Sequence, residues 1–172
     1  MNENVILFLD VDGPLSPYRS TQRRSGYRAW TLNGSHVLLN SSHGPELLDL
    51  PYELVWSTTW EHDANTHIAP RLGLPHLPVC EFPDEVDAPH TVGFKTPAIV
   101  EYATGRPFAW VDDEITDADR EWVAQRHKGP ALLHWVNPAV GLVESDFEAL
   151  AAWARTLTPH LTTGRTPERA AV

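Results

Sequence analysis

The sequence predicts an α/β protein built on an open parallel sheet, and three observations carry that prediction. Short apolar runs rich in branched residues alternate with longer amphipathic segments along the 172 residues, the pattern of strands buried between helices. Helix-start signals stand where that alternation needs them: Ser145 with Glu148 has capping-box spacing, Thr116 with Asp119 is a similar pair, and Pro97 suits a first helical turn. Several of the strand candidates then end in aspartate, serine or threonine.

The elements follow in order. A first strand at 5–9, VILFL, runs straight into Asp10 and Asp12. Residues 14–50 break the alternation: GYRAWTLNGSHVLLN carries Asn33-Gly34, the strongest short hairpin signal, which sets Trp30 opposite Val37. A short turn of helix is expected near 45–50. Strands follow at 52–56, 108–111 and 131–135, with a weaker one at 77–80. Helices are expected at 60–72, 96–103, 117–127 and 146–157. The polar, weakly patterned residues 159–172 read as a frayed tail, leaving one domain over 1–158.

Composition narrows the function. The net charge of -10 argues against wrapping a long nucleic acid, because duplex affinity rests on neutralising phosphates with Lys and Arg; a short nucleotide or a strand end remains open. A single cysteine, Cys80, fits a reducing compartment. The N-terminal apolar run is too short for a signal peptide or a membrane span, and a cytoplasmic location is expected.

The polar strand ends supply the chemistry. Besides Asp10 and Asp12, ELVWSTTWE closes a strand with Ser57, Thr58 and Thr59, FKTPAIVEYA opens a helix with Lys95, and PFAWVDDE closes another strand with Asp112 and Asp113. In an open parallel sheet, ligands bind outside the carboxyl ends of the strands, so all four features fall at one edge. Four carboxylates there repel one another. A divalent cation with oxygen ligands resolves this, Mg2+ being the usual one where carboxylates and phosphate share a site. With a metal, a carboxylate and a phosphate together, attack on phosphorus to give an aspartyl-phosphate is the available reaction. A second carboxylate with a raised pKa would move the protons.

At this point the residues resemble the haloacid dehalogenase superfamily. DVDGPL looks like its first motif, the strand-ending Ser/Thr its second, Lys95 its third and VDDE its acidic fourth, in the right order over roughly 5–145. The resemblance implies a Rossmann-like sheet with the first strand between the second and fourth. It implies Asp10 as nucleophile and metal ligand, and Asp12 as general acid and base with its backbone carbonyl on the metal. Thr58 would bind phosphoryl oxygens, Lys95 would stabilise charge on nucleophile and phosphate, and Asp112 and Asp113 would complete a Mg2+ shell. The hairpin becomes a flap, and the roughly 40 residues between the first two sheet strands leave no room for a large cap. WSTTWEHDAN with VDDE resembles small cap-poor domains, some attached to RNA repair proteins. The expected activity is hydrolysis of a small phosphomonoester; the alternatives are a catalytically idle domain binding a phosphorylated ligand or protein, and a nucleic-acid end phosphatase or phosphotransferase.

Plainer readings stand beside these. Asp-Gly is a common turn pair. Thr58 with Glu61 has capping-box spacing, so Thr58 could be a helix N-cap, a role compatible with anion binding. Arg19, Arg23, Arg24 and Arg28 crowd ahead of the hairpin and either recruit an anionic substrate, with Arg19 and Arg23 touching it, or form a solvated face. Trp56, Trp110 and Trp135 read as core, as do Trp30 and Trp60, although the last two could border the pocket.

Overall fold

The computed structural model describes residues 5–18, 25–83 and 87–157. In chain order the elements are β1 (Ile6–Leu9), a hairpin of β2 (Tyr27–Leu32) and β3 (Ser35–Asn40), α1 (His43–Leu48), β4 (Glu53–Trp56), a π-helical turn (Ala64–Ile68) running into α2 (Ala69–Leu72), α3 (Lys95–Ala103), β5 (Phe108–Asp112), α4 (Asp117–Arg126), β6 (Ala131–Trp135) and α5 (Glu144–Leu157). Four strands form one parallel sheet in the order β4-β1-β5-β6. The expected α/β class, the Rossmann-like arrangement and the flap hairpin are all present. Among the described residues only the hairpin and α1 stand between β1 and β4.

β1 is apolar throughout because both its faces are covered. Leu7 and Leu9 pack on one side with Leu47 of α1, Leu72 of α2 and Leu150 of α5. Ile6 and Phe8 pack on the other with Ile99 of α3 and Val123 of α4. Central position and two-sided burial make β1, like its inner neighbour β5, a firmly held mount. Nothing in its local sequence competes with that.

The hairpin has the expected register, Trp30 opposite Val37, and Asn33 (φ 48°) and Gly34 (φ 78°) both adopt the left-handed conformation that a tight two-residue turn requires. Buried Leu32, Val37 and Leu39 root it in the core, and polar and cation-π contacts fasten it further. The Leu38 amide donates to Ser16 Oγ (3.1 Å), the Asn33 side chain to Asp63 (2.9 Å), and the Arg71 guanidinium lies 4.6 Å from the Trp30 ring centre.

Elsewhere the structure departs from the sequence-based expectations. The helix expected at 60–72 is replaced by turns, the π-helical turn and the four-residue α2. Pro70 has no N–H for the carbonyl four residues back, and just upstream the Ala69 amide bonds Ala64 instead, in the wider register. The strand expected at 77–80 is reduced to a bridge between Val79 and Trp56, since Pro78 cannot donate. The short helix expected near 45–50 starts earlier, at His43. α5 also starts early: the Asp146 carboxylate, not the Ser145–Glu148 pair, accepts the Val143 amide (2.8 Å) at its N-terminus. Residues 159–172 lie outside the described residues.

The second capping box forms as expected. The Asp119 amide donates to Thr116 Oγ1 and the Thr116 amide to Asp119 Oδ2 (3.3 and 2.8 Å). Asp119 also accepts from the Gly93 amide and the Thr96 hydroxyl (2.7 and 2.6 Å), tying the start of α4 to the start of α3. These bonds hold the Asp119 carboxyl below its ordinary pKa against the opposing effect of burial. Thr116→Ala is expected to cost about 1–2 kcal/mol, read as a lowered denaturation midpoint with unchanged slope.

Candidate active site

The site follows from register. Leu9 pairs with Trp56 on one side and Val111 on the other, so one step further along the three strands come Asp10, Ser57 and Asp112. The Ser57 amide donates to the Leu9 carbonyl and the Asp10 amide to the Val111 carbonyl, which keeps the sheet ordered up to that step. Lys95, first residue of α3, enters the same edge.

Its ammonium lies 3.0 Å from Asp10 Oδ2 and 2.7 Å from Asp112 Oδ2, and all three side chains are buried. Asp112 also accepts from the Trp110 indole (3.2 Å) and, through its other oxygen, from the Glu114 amide (2.9 Å). Burial pushes the Asp10 carboxyl up from 3.8 to about 7; Lys95 opposes that rise and Asp112 adds to it. The two carboxylates in turn hold the Lys95 ammonium above its ordinary pKa against the desolvation of its site.

Asp113, the next residue, faces the loop after β1. Gly13 makes that approach possible: its φ is +97°, and a Cβ there would come within 2.5 Å of the Asp113 carboxylate. The Tyr18 hydroxyl donates to Asp113 Oδ2 (2.6 Å) and the Trp135 indole to the Asp113 carbonyl (2.7 Å). Asp12 is turned toward the Trp60 indole, which donates to its Oδ2 (2.9 Å); burial raises the Asp12 carboxyl and this bond opposes the rise.

Oxygens of Asp10, Asp112 and Asp113 all lie within 4.8 Å of one another. An all-carboxylate oxygen set beside one lysine fits a hard divalent cation such as Mg2+ in donor type and in charge. The Asp12 carboxylate stands outside this set.

The structure thus brings together Asp10, Lys95, Asp112 and Asp113, with Asp12 alongside. Thr58 is fully buried at the end of β4, where its Oγ1 accepts the Trp60 amide (3.3 Å). It is not a helix N-cap: the Glu61 amide bonds the Thr58 carbonyl and Glu61 is left-handed (φ 47°), so no helix begins there. Ser57 Oγ, also buried, has no hydrogen-bond partner. Arg19, Arg23 and Arg24 lie outside the described residues, while Arg28 stands 5.2 Å from the Trp30 ring centre.

Sequence reasoning left Trp60 open between core and pocket border, and it missed the contacts of Trp135 and Tyr18. Trp135 is 48% exposed and not core; it pairs with Asp112 across β5 and β6, and that register is the signal that places it beside the acidic pair. Trp60 is half-buried with its indole on Asp12, so it borders the site and does not fill the core. Tyr18 carried no sequence signal beyond its closeness to DVDGPL.

No match to the chain was found among curated proteins or among solved structures. A family model does match, over residues 6–147, and it spans every motif described above. Its members are hydrolases or phosphotransferases in type, and their fold is the one seen here. The chain belongs to that family, the HAD (haloacid dehalogenase) domain in Swiss Army Knife RNA repair proteins.

Proposed function

We propose that the protein is a Mg2+-dependent phosphomonoester hydrolase working through an aspartyl-phosphate on Asp10, and that the substrate phosphate stands at the end of an RNA strand. The observation that carries the reading is the buried Asp10–Lys95–Asp112 cluster, a carboxylate and a fixed cation at the end of a rigid central strand. The strand-end substrate is supported by the family's association with RNA repair; a small phosphomonoester would meet the same groups.

In this reading an Asp10 oxygen attacks phosphorus, the bond from phosphorus to the ester oxygen breaks, and that oxygen takes a proton from Asp12. Water then attacks the phosphorus of the acyl phosphate, gives its proton to Asp12 and releases inorganic phosphate, restoring Asp10. The raised Asp12 pKa suits a group that must hold and return a proton. Lys95 offsets charge on Asp10 and on the phosphate. Thr58 accepts the Trp60 amide and so keeps its own hydroxyl proton for a phosphoryl oxygen. Asp10, Asp112, Asp113 and the Asp12 carbonyl would hold Mg2+, which when bound neutralises carboxylate and phosphate charge and polarises the phosphoryl group. A cytoplasmic setting suits the one buried thiol, Cys80; among the described residues no helix is long and apolar enough to cross a membrane.

The test is phosphate release from an aryl phosphate and from end-phosphorylated oligoribonucleotides, with Mg2+ or with chelator. Release is expected only with Mg2+, together with a rise in thermal midpoint of the substrate-free protein on adding Mg2+. Equal inactivity of wild type and Asp10→Asn on every substrate would instead favour an idle domain that binds a phosphorylated ligand.

A further inference from the structure

The exposed aromatic side chains of the described residues are not scattered. Of the five large hydrophobic residues that stand exposed, three are aromatic: Tyr18 (50%), Phe94 (47%) and Trp135 (48%). Each adjoins the site. The Tyr18 hydroxyl and the Trp135 indole donate to Asp113, and the Phe94 ring centre lies 6.0 Å from the Lys95 ammonium. The half-buried Trp60 holds Asp12 in the same way. For Tyr18, Trp60 and Trp135 the polar atom of the ring system is turned to a site aspartate.

Such rings do two things at once. Their polar atoms fix the aspartates, and the exposed parts of Tyr18, Phe94 and Trp135 offer apolar area to whatever carries the phosphate. A short alkyl phosphate has no flat face to lay against a ring, whereas an unpaired nucleobase stacks on one whatever its identity. Charge favours the same answer. With a net charge of -10, general neutralisation of phosphates does not hold a long strand, and stacking on aromatic rings would add retention at the strand end itself.

Resting on the hydrolase reading above, we infer that Trp135 and Tyr18, with Phe94 beside Lys95 and braced edge-on by Phe82, form a stacking rim for the unpaired bases next to the terminal phosphate. The rim makes the enzyme selective for single-stranded ends over phosphomonoesters without bases. It is indifferent to base identity, because it reads π faces and not hydrogen-bonding edges.

The experiment compares two tetranucleotides bearing the same terminal phosphate, one with all its bases and one with the two terminal bases replaced by abasic residues, in each strand polarity. Wild type is expected to favour the base-bearing substrate by about ten-fold or more in kcat/KM. Trp135→Ala shrinks that ratio several-fold and Trp135→Phe, which keeps a ring, largely restores it; Tyr18→Phe, which keeps the ring but not the hydroxyl, leaves the ratio in place. Because both substrates present one and the same phosphate, any damage to Asp113 from losing the indole bond cancels in the ratio. Equal hydrolysis of the two substrates by wild type overturns the rim while leaving the hydrolase reading intact. Release from neither substrate overturns the rim and the strand-end substrate, and the hydrolase reading as well if an aryl phosphate is equally untouched.

Discussion

Asp10→Asn is expected to abolish phosphate release while making the metal-free protein more stable at neutral pH. Loss of the nucleophile should lower kcat by on the order of 10⁴-fold or more, as removal of a covalent nucleophile does elsewhere. The stability gain follows from the pKa. Burial and the neighbouring Asp112 hold the Asp10 carboxyl at about 7 in the folded state, against 3.8 for the ordinary group. A carboxyl raised in this way opposes folding when ionised: the penalty is absent below about pH 4 and complete above about pH 7. Asparagine keeps the shape and never ionises, and Lys95 still has Asp112. In chelator at pH 8 the variant should gain up to about 4 kcal/mol, at roughly 1.4 kcal/mol per pKa unit, and at pH 4 almost nothing. Denaturant titrations at both pH values check this; a variant less stable than wild type at pH 8 would contradict the account of burial.

Lys95→Met should act in the opposite sense on stability. Methionine fills much of the volume of the buried stem, but Asp10 and Asp112 are left facing each other without their cation. Breaking a buried ion pair from one side costs about 3–5 kcal/mol, and activity falls as well because the phosphate loses its fixed positive charge. The pH dependence has two parts. The folded-state pKa of Lys95 lies above 10.5, so its contribution is fully present below 10.5 and disappears only as pH rises through the folded value. The orphaned Asp10 carboxyl, which burial already lifts to about 7, takes up a proton as pH falls toward 5, so the defect of the variant shrinks there. Thermal midpoints at pH 5 and pH 8 in chelator should therefore diverge from wild type far more at pH 8, and added Mg2+ should restore part of the difference. An unchanged midpoint at pH 8 would mean that Lys95 does not hold the cluster together.

What could be read in the sequence and what could not divide along physical lines. A parallel strand buried on both faces is written as an apolar run, and its end at the open edge is written as an abrupt change to polar residues. The meeting of Asp10 with the Asp112–Asp113 pair was legible for that reason, and that of Lys95 because a helix start follows it. The side chains that orient these groups were not. Trp56 and Trp135 both close an apolar run on an edge strand, yet the first is covered by the Val79 bridge and the second is exposed beside Asp113; only the chain that covers the β4 edge distinguishes them. The 60–72 segment misled because its apolar spacing is helical while Pro70 and the left-handed Glu61 interrupt the helix. Asp119 looked like half of a capping box, and its bonds to Gly93 and Thr96, on either side of Lys95, appear only in three dimensions.

The fastening of the hairpin has a kinetic consequence. A flap pinned through Ser16, Asp63 and Arg71 is an awning and not a door. Ser16 is bridged to Asp12 in the loop after β1, so swinging the hairpin outward would drag on the backbone of Asp12, the group proposed above to move protons. In the reaction proposed above, substrate would then meet an opening whose shape these contacts help to set, and discrimination among substrates would rest on fit to it.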